Sequence, residues 1–526
     1  MEDRKKVAYF CMEFGLDPEL HTYSGGLGIL AGDIIKAAKD MNEDVIGIGI
    51  LWSKGYVEQF NTLNQVINKY YSHNYHFIKN KVGDFALELG NHSVMVDIYR
   101  TEEFGNAPLY LLDTNRPDNT REEQMLTSKL YTGSQKEYLL QQALLGKGGL
   151  KAQEIVGENP DIIHMNESDS VFAALETFKQ NIEKTGDPDT GRKETKKNIR
   201  FTTHTPVEAG NPKFGHHLFE ETGLRKMYTM IDLHELGGTP FDSTLACLRL
   251  AGKTNAVSER HRSKAREMWS DYSGTSEMIG LTNGVHLPSW QSIHVKEAET
   301  REEMWGAHMK EKEWLRKSFE ADIDINKPLI GFARRFTEYK RPGLFFHDEE
   351  RARKILEKAN IVFAGKAHIE DRQGQELVKK IYQKSLESDS VIWVENYDMN
   401  DASRLVKGCD VWLSCPVPPR EACSTSTIKA ASSGNLNLSI PDGWWWEAGE
   451  HGVNGWKFGS EKEKTSEDRD RRDAEDLYRV LENEVIPTYY NDRDKWLEMM
   501  ENSIETVKKE YTGQRMVEKY RKKMWQ

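Results

Sequence analysis

Short runs of Val and Ile recur between longer amphipathic stretches, and this alternation limits how the chain can fold more than any other feature. Short apolar runs are typical of strands buried on both faces, and the amphipathic stretches between them are typical of helices. Strands and helices that alternate in this way build parallel sheets covered by helices. The sequence therefore predicts an α/β protein.

The predicted strands fall into two sets along the chain. In the first half they are residues 7–10, 45–51, 94–99, 109–112, 162–165 and 199–203. In the second half they are residues 329–333, 361–364, 391–394, 411–414 and 436–440. The spacing at the start of the second set, about 30 residues, matches successive strand–helix–strand units. The second half is therefore predicted to be one doubly wound domain.

A domain boundary is predicted where a charged helical stretch gives way to Pro328 and the first strand of the second set. We predict an N-terminal α/β domain over residues 1–319 and a C-terminal Rossmann-like domain over residues 320–505. Residues 506–526 are expected to form a C-terminal helix that packs back on the N-terminal domain. Two doubly wound domains facing a central cleft are the expected architecture.

The composition excludes several classes of function. Hydrophobic residues make up 38% and charged residues 30% of the chain, which fits a folded globular protein. A formal net charge of −12 argues against nucleic acid as the main partner. Neither a long apolar segment nor a signal peptide is visible, so no membrane partner is expected. The five cysteines form no Cys-x-x-Cys pair, so we expect a reduced, cytoplasmic location.

A glycine-rich turn, residues 23–33, runs into a helix with apolar periodicity. Its centre is Gly25-Gly26-Leu27. Glycines let the backbone approach a bound group closely, and the free amides of a helix N-terminus attract anions. A tight turn packed under a helix would have the same pattern, so this motif alone does not decide between the two.

A basic segment follows the first strand of the second set. Four cations stand within eight residues: Arg334, Arg335, Lys340 and Arg341. Ligands of open α/β sheets bind beyond the carboxyl ends of the strands, and phosphate recognition is the natural use of such cations. Lys366 and His368 follow the next strand and are predicted to lie at the same edge. A basic surface turn is the alternative.

A hydroxyl-rich segment, residues 420–431, is predicted to open a helix. Thr425 and Ser426 can cap that helix or hold a phosphate with its free amides, and Lys429 can form a Schiff base with an aldehyde cofactor. A capped helix with an exposed lysine explains the same spacing. Polar groups such as His204 also follow strands of the first set, where a sugar site or a buried, hydrogen-bonded histidine would both fit.

Taken in order, these segments resemble the α-glucan phosphorylases, which include the glycogen, starch and maltodextrin enzymes. Further stretches that match are residues 8–15 (AYFCMEFG), 281–290 (LTNGVHLPSW), 395–398 (ENYD) and 441–445 (PDGWW). The resemblance covers residues 7–458, and the length is similar to the short prokaryotic type. It implies a glycosyltransferase B-type architecture, with the substrate on the N-terminal domain and pyridoxal phosphate on the C-terminal one.

The resemblance also implies the reaction: reversible phosphorolysis of α-1,4-glucans to α-D-glucose 1-phosphate with retention. Lys429 would hold pyridoxal 5′-phosphate as a Schiff base, and the cofactor phosphate would relay a proton to the substrate phosphate. The other implied cofactor-binding residues are Ser424, Thr425, Ser426 and Gly26. The implied partners are α-glucan or maltodextrin, inorganic phosphate and glucose 1-phosphate, without a metal; homodimers are common in the family.

Cations must offset the repulsion between the two phosphates, about 4 kcal/mol per charge pair at 4 Å and a dielectric of about 20. Arg335 and Lys340 match the substrate-phosphate ligands of the family and, with Lys429 and His204, form the implied catalytic set. The implied substrate-binding residues are Gly25, Gly26, Leu27, His204, Asn255, Tyr339, Glu421 and Cys423.

The chain departs from its relatives at a few positions. Ser424 and Thr427 stand where relatives usually have glycine, and Ser168-Asp169 where they tend to have Gly-His. A residue other than glycine at positive φ costs about 1–3 kcal/mol, so the first two changes are expected to reshape or strain the loop. Two alternatives stay open: a nucleotide-sugar glucosyltransferase, which needs no Schiff base, and a non-catalytic glucan-binding protein, which the altered loop favours.

Overall fold

A computed structural model describes residues 4–131, 133–207, 210–319, 324–459 and 465–526. The chain divides into two compact units. The first comprises the chain up to Tyr56, Tyr70–Thr282 and Gln514–Gln526, and the second comprises Val57–Lys69 and Asn283–Gly513. Among the described residues, no helix has both the length and the apolar character needed to span a membrane.

Strands are numbered here in chain order. They are Val7–Phe10 (β1), Val45–Ile50 (β2), Glu58–Asn61 (β3), Val66–Lys69 (β4), Lys81–Leu89 (β5), His92–Thr101 (β6), Leu109–Asp113 (β7), Ile162–Asn166 (β8), Ile199–Thr203 (β9), Lys213–Phe214 (β10), Phe241–Asp242 (β11), Lys253–Ala256 (β12), Met278–Gly280 (β13), Leu329–Ala333 (β14), Asn360–Ala364 (β15), Val391–Val394 (β16), Val411–Ser414 (β17), Leu436–Ser439 (β18) and Gly455–Lys457 (β19).

Helices follow the same convention. They are Gly26–Asp40 (α1), Arg121–Met125 (α2), Gln135–Ala143 (α3), Gly149–Val156 (α4), Val171–Thr185 (α5), Pro188–Asn198 (α6), His216–Glu221 (α7), Leu224–Met227 (α8), Leu233–Gly237 (α9), Ser243–Leu250 (α10), Glu259–Met268 (α11), Leu287–Trp290 (α12), Ile293–Glu297 (α13), Arg301–Ser318 (α14), Glu349–Leu356 (α15), Arg372–Glu387 (α16), Met399–Gly408 (α17), Thr425–Ser432 (α18), Trp444–Ala448 (α19), Ser466–Val480 (α20), Ile486–Asn491 (α21), Arg493–Glu510 (α22) and Gly513–Lys523 (α23).

The first unit is built on a sheet with the strand order β13-β12-β9-β8-β1-β2-β7-β6-β5. Its strands are parallel except where β6 pairs with β5 and β7. Alternate residues of β1 enter two different apolar clusters, Ala8 and Phe10 on one face and Val7 and Tyr9 on the other. This all-apolar strand is buried on both faces, as the sequence predicted.

The second unit is built on a fully parallel sheet with the order β16-β15-β14-β17-β18-β19. Counted from β14, this is the 3-2-1-4-5-6 order of a Rossmann fold. The order reverses between β14 and β17, and ligands of such sheets bind beyond the carboxyl ends of the strands at this point. The predicted fold class, α/β with doubly wound domains, is confirmed.

The compact units and the predicted domains differ in their boundaries. Helices α12–α14 precede the predicted boundary at residue 319 but belong to the second unit. Their hydrogen bonds explain this: Gln291 Nε2 donates to the carbonyl oxygen of Ser432 at 2.8 Å, and the Ser292 amide donates to Ser433 Oγ at 3.0 Å. The predicted boundary also adjoins residues 320–323, which lie outside the described residues.

The C-terminal helix α23 supplies part of the core of the first unit. Met516, Val517, Tyr520 and Trp525 lie in the same apolar cluster as β1. The indole nitrogen of Trp525 donates to His164 Nδ1 at 2.9 Å. The last segment of the first unit begins at Gln514, eight residues after residue 506, where the C-terminal helix was predicted to start.

Candidate active site

In the first unit, backbone amides of the glycine-rich turn (residues 23–33) donate to the carboxylate of Glu13, which follows β1. Glu13 is buried, and its Oε2 accepts hydrogen bonds from the Ser24 amide at 2.6 Å and the Gly25 amide at 3.3 Å. Tyr131 Oη donates to Glu13 Oε1 at 3.0 Å. The amide of Gly25, a residue that the resemblance assigned to substrate binding, therefore donates to a carboxylate of the chain itself.

The next two amides of the turn open helix α1. Helix α1 begins at Gly26, so the amides of Gly26 and Leu27 have no acceptor within that helix. They form the helix N-terminus that attracts anions. Gly28 has a different role, because a Cβ there would lie 2.7 Å from Glu13 Oε2 and 2.8 Å from Tyr23 Cβ. Close packing therefore requires glycine at position 28, whereas a Cβ at position 26 would meet no atom within 4 Å.

His204 lies beyond the carboxyl end of β9 and bonds to the end of β8. Its Nε2 is 2.6 Å from Asn166 Oδ1, and Asn166 Nδ2 donates to Cys11 Sγ at 3.3 Å. This pattern makes His204 Nε2 the donor and Asn166 Oδ1 the acceptor. Burial lowers the pKa of His204 to about 3. His204 is therefore a neutral hydrogen-bonding group rather than a cation.

Two buried carboxyl groups follow β8. Glu167 Oε1 accepts from the His204 amide at 2.8 Å and from Thr205 Oγ1 at 2.7 Å, and burial raises the pKa of Glu167 to about 7. Asp169 accepts from Tyr138 Oη and from Gln142 Nε2. Burial, reinforced by the charge of Glu13, raises the pKa of Asp169 to about 6. The extra carboxylate of this chain is held by a phenol and an amide.

Asn255, a predicted sugar ligand, is fully buried on β12 and has partners of its own. Its Oδ1 accepts from Thr202 Oγ1 at 2.7 Å, and its Nδ2 donates to the carbonyl oxygen of Ala256 at 3.3 Å. The structure thus assigns Asn255 to the internal bonding of the first sheet.

In the second unit, a buried cluster of charges lies at the carboxyl ends of β14 and β17. Arg334 donates to Ser414 Oγ at 2.8 Å, to Glu421 Oε2 at 2.9 Å and to Ser424 Oγ at 3.0 Å. Lys340 Nζ donates to Glu421 Oε2 at 2.8 Å. Burial alone would raise the pKa of Glu421, but Arg334 and Lys340 hold it below its usual range. Glu421 is therefore ionised and shared by two cations.

The other residues of the basic segment have separate roles. Arg341 is buried, and its guanidinium binds Asp470 at 2.6 Å and Asp473 at 2.7 Å, so it stabilises the fold. Arg335 is exposed, and Tyr339 is partly exposed with its ring 4.8 Å from Lys340 Nζ. Arg335 is thus the cation of this segment with most access to an incoming anion.

Positions 424 and 427, where relatives usually have glycine, differ in backbone conformation. Ser424 has φ of 70°, in the left-handed region, whereas Thr427 lies inside helix α18. Thr427 Oγ1 accepts from Trp444 Nε1 at 2.6 Å and donates to the carbonyl oxygen of Ser424 at 2.6 Å. Strain is therefore expected at position 424 alone, and Thr427 supplies hydrogen bonds that glycine could not.

Lys429 and the start of α18 offer donors suited to an aldehyde that carries a phosphate. Lys429 is buried, with Nζ 3.8 Å from the ring centroid of Trp290. Helix α18 begins at Thr425, so the amides of Thr425 and Ser426 have no acceptor within it, and both residues are partly exposed. An amine for the aldehyde, with amides and hydroxyls for the phosphate, fits pyridoxal phosphate.

The remaining predicted groups are Cys423 and the end of β15. Cys423 is buried, and burial raises the pKa of its thiol, so the group is neutral. Lys366 follows β15, and burial lowers the pKa of its ammonium group to about 8 despite nearby carboxylates. His368 stays on the segment that follows β15. The predicted edge of the second sheet therefore carries Lys366 as a cation that titrates close to neutral pH.

Sequence reasoning missed the roles of Arg334, Glu13 and Trp290. The strand alternation held a signal for Arg334, because two consecutive arginines at a strand end must point to opposite faces, one inward and one outward. Glu13 is a charged residue inside an otherwise apolar and glycine-rich segment, a pattern that indicates a buried, bonded carboxylate. The contact of Trp290 with Lys429 had no local signal.

Comparison with known proteins identifies relatives of this chain. The chain is 35% identical to maltodextrin phosphorylase of Thermococcus litoralis over 98% of its own length and 70% of the relative. It is 33% identical to glycogen phosphorylase of Aquifex aeolicus, covering 99% of this chain and 86% of the relative. An uncharacterized protein of Methanocaldococcus jannaschii is 30% identical, covering 99% and 100%. No family model matches the chain.

The fold and these relatives define a glycosyltransferase-type α/β enzyme, here with a basic strand end and a buried lysine. At this level of identity over nearly its whole length, the chain belongs to the α-glucan phosphorylase family. The predicted family is confirmed.

Proposed function

We propose that this protein releases α-D-glucose 1-phosphate from the ends of α-1,4-glucans by phosphorolysis. The basic strand end carries the proposal: Arg334, Lys340 and Glu421 form one bonded cluster at the switch point of the second sheet, with Arg335 exposed beside it. Relatives named as maltodextrin and glycogen phosphorylases support the choice of substrate. Maltodextrin or glycogen and inorganic phosphate are the proposed substrates.

Pyridoxal phosphate is the proposed cofactor, held through the amine of Lys429, the hydroxyls of Thr425 and Ser426, and the amides that open α18. When bound, it would supply a phosphate group with a pKa near 6, suited to holding and relaying a proton near neutral pH. Trp290 packs over the amine and shields it from water. Ser424 contributes through Arg334, which its hydroxyl helps to orient.

Arg335 and Lys340 would bind the substrate phosphate and offset its repulsion from a second phosphate. Lys340 already pairs with Glu421 at 2.8 Å, so anion binding would let the lysine divide its hydrogens between the two anions. Glu421 stays ionised because Arg334 remains bonded to it, and a carboxylate of this kind accepts hydrogen bonds from sugar hydroxyls. Tyr339 and Cys423 are proposed to line the sugar position.

A separate part of the proposal concerns residues of the first unit. The amides of Gly26 and Leu27 would donate to an anion, while Gly25 positions the turn through Glu13. His204 is neutral because of burial and donates its Nε2–H to Asn166, so its Nδ1 would accept a hydrogen bond from a glucosyl hydroxyl without adding charge. We propose retention at the anomeric carbon: the phosphate held by Arg335 and Lys340 would bond to that carbon on the same face from which the glucan oxygen leaves, while these cations stabilise the developing charge.

Five free, buried cysteines support a reduced compartment, and we propose the cytoplasm. No residue described here supports a nucleotide-sugar donor over phosphate. We propose that the protein forms a homodimer, which is common in the family.

Arg335→Ala tests the phosphate assignment. Loss of a charge-assisted contact to the substrate should lower kcat/KM for phosphate by about 10-fold to 200-fold, while pyridoxal phosphate stays bound. Arg353→Ala, which removes an exposed arginine paired with Glu357, is the matched control and should leave turnover unchanged. Unchanged turnover of Arg335→Ala would remove the assignment of this residue to the substrate phosphate.

A further inference from the structure

A β-hairpin taken from the first part of the chain is built into the second unit. The hairpin (residues 57–69) consists of β3, β4 and the turn between them, and the chain on both sides of it belongs to the first unit. Val66 packs against the apolar cluster of the second unit. The hairpin is therefore an integral part of the second unit, although more than 200 residues separate it from the rest of that unit in sequence.

The side chain of Gln59 in this hairpin bonds to the backbone N–H and C=O of Ala367. Gln59 Nε2 donates to the carbonyl oxygen of Ala367 at 2.6 Å, and the Ala367 amide donates to Gln59 Oε1 at 2.9 Å. Gln59 is 2% exposed and Ala367 is fully buried. The carboxamide thus takes the place of a neighbouring strand and satisfies the backbone N–H and C=O of one buried residue, Ala367.

Three more hydrogen bonds hold the hairpin at the end of β16. Asn396 Nδ2 donates to Glu58 Oε2 at 3.1 Å, and Asn61 Nδ2 donates to Glu395 Oε2 at 3.1 Å. Asn396 also accepts the Gln59 amide through its Oδ1 at 3.1 Å. Residues 395 and 396, which matched the family without an assigned role, here bind the hairpin.

The segment that ends at Ala367 is hydrogen-bonded to the basic strand end. The Phe336 amide donates to the carbonyl oxygen of Lys366 at 2.9 Å, and the Arg334 amide donates to the carbonyl oxygen of Ala364 at 3.0 Å. Arg335 lies between these two bonds. The backbone of residues 364–367 thus holds the backbone on both sides of Arg335 through these two hydrogen bonds. Gln59 in turn binds the last residue of this segment, Ala367.

We propose that Gln59 is a positioning residue for the phosphate contact of Arg335. The proposal rests on the proposed function, since it assigns inorganic phosphate as the ligand of Arg335. Gln59 acts through the backbone: it fixes Ala367, Lys366 carries the fixed position to Phe336, and Arg335 is held in the conformation that receives the anion. Loss of the clamp weakens phosphate binding and leaves the cofactor lysine on α18 undisturbed.

The test is the Gln59→Met variant, which keeps the length of the side chain and removes both hydrogen bonds to Ala367. In the holoenzyme, the KM for phosphate should rise about fivefold to tenfold, as expected for losing one or two neutral hydrogen bonds. The KM for maltodextrin and the pyridoxal phosphate absorbance should not change. Gln383→Ala, which removes the 3.2 Å bond to the Leu63 carbonyl oxygen at the other end of the hairpin, is the control and should keep the wild-type KM.

A lower active fraction with an unchanged KM for phosphate would mean that Gln59 is only structural and would overturn the proposal. Hydrogen exchange of the wild-type holoenzyme gives a second test that does not depend on the folding of a variant. Because coupling is reciprocal, inorganic phosphate should slow amide exchange in residues 57–69 relative to chloride at equal ionic strength. Equal rates would overturn the proposal, whereas a wild-type enzyme that makes no glucose 1-phosphate would refute the proposed function instead.

Discussion

Alanine and glycine should have opposite effects on stability at two positions of the loop before α18. At position 424 the backbone is left-handed, with φ of 70°, and at position 427 it is right-handed helical. Alanine and glycine both lack the native hydroxyl, so comparing them at one position isolates the contribution of the backbone. The comparison does not depend on the value of any single hydrogen bond.

The magnitudes follow from the conformations. A left-handed backbone costs alanine about 1–2 kcal/mol, and the greater freedom of glycine in the unfolded chain returns about 0.5–1 kcal/mol of that difference. Ser424→Gly should therefore be more stable than Ser424→Ala by about 0.5–1 kcal/mol. Inside helix α18 glycine is worse than alanine by about 1 kcal/mol, so Thr427→Gly should be less stable than Thr427→Ala.

Urea denaturation followed by tryptophan fluorescence measures these differences, with the four variants compared as the shift in midpoint at equal slope. Both variants at position 427 should also lose about 1–3 kcal/mol relative to the wild type, because the buried indole of Trp444 loses its acceptor. If alanine were as stable as glycine at position 424, the left-handed backbone described here would be refuted.

Three further predictions concern the first unit and the shared carboxylate. Gly28→Ala should cost about 1–3 kcal/mol in thermal unfolding, because its Cβ would clash with Glu13, whereas Gly26→Ala, with nothing within 4 Å, should cost less; equal costs would contradict this. The free energy of unfolding of Asp169→Asn, relative to the wild type, should be about 1 kcal/mol higher at pH 8 than at pH 5. Its native pKa of about 6 exceeds the unfolded value, so ionisation destabilises the fold as pH rises; a pH-independent difference in urea midpoint would refute this. Glu421→Gln should weaken maltodextrin binding, measured as a higher KM with pyridoxal phosphate retained, and an unchanged KM would exclude a role in sugar binding.

Much of the sheet framework follows from the sequence, because apolar strands buried on both faces leave a strong local pattern. All predicted strands are present, and residues 329–333 coincide with β14. The strands that were missed have weaker patterns: β5 is half exposed, and β12 contains Lys253, Thr254 and Asn255. Local hydrophobicity could not indicate them, because neighbours in the sheet, rather than their own composition, hold these segments in place.

The candidate site was predictable only in part. Residue type and spacing indicated the basic segment, the glycine-rich turn and Lys429. The first two lie at a strand end and a helix start, and Lys429 lies within α18. Which groups bond to one another could not be read from the sequence, because the contacts between Glu13 and Gly25 and between Gln59 and Ala367 join separate segments of the chain. The boundary of the second unit was missed for the same reason.

The decisive measurement for phosphorolysis is the release of glucose 1-phosphate when the purified protein, reconstituted with pyridoxal phosphate, is given maltodextrin and inorganic phosphate. We expect phosphate-dependent release, together with borohydride trapping of the cofactor on Lys429 in the same preparation. Cofactor bound on Lys429 without any release of glucose 1-phosphate would refute phosphorolysis and favour a non-catalytic glucan-binding protein.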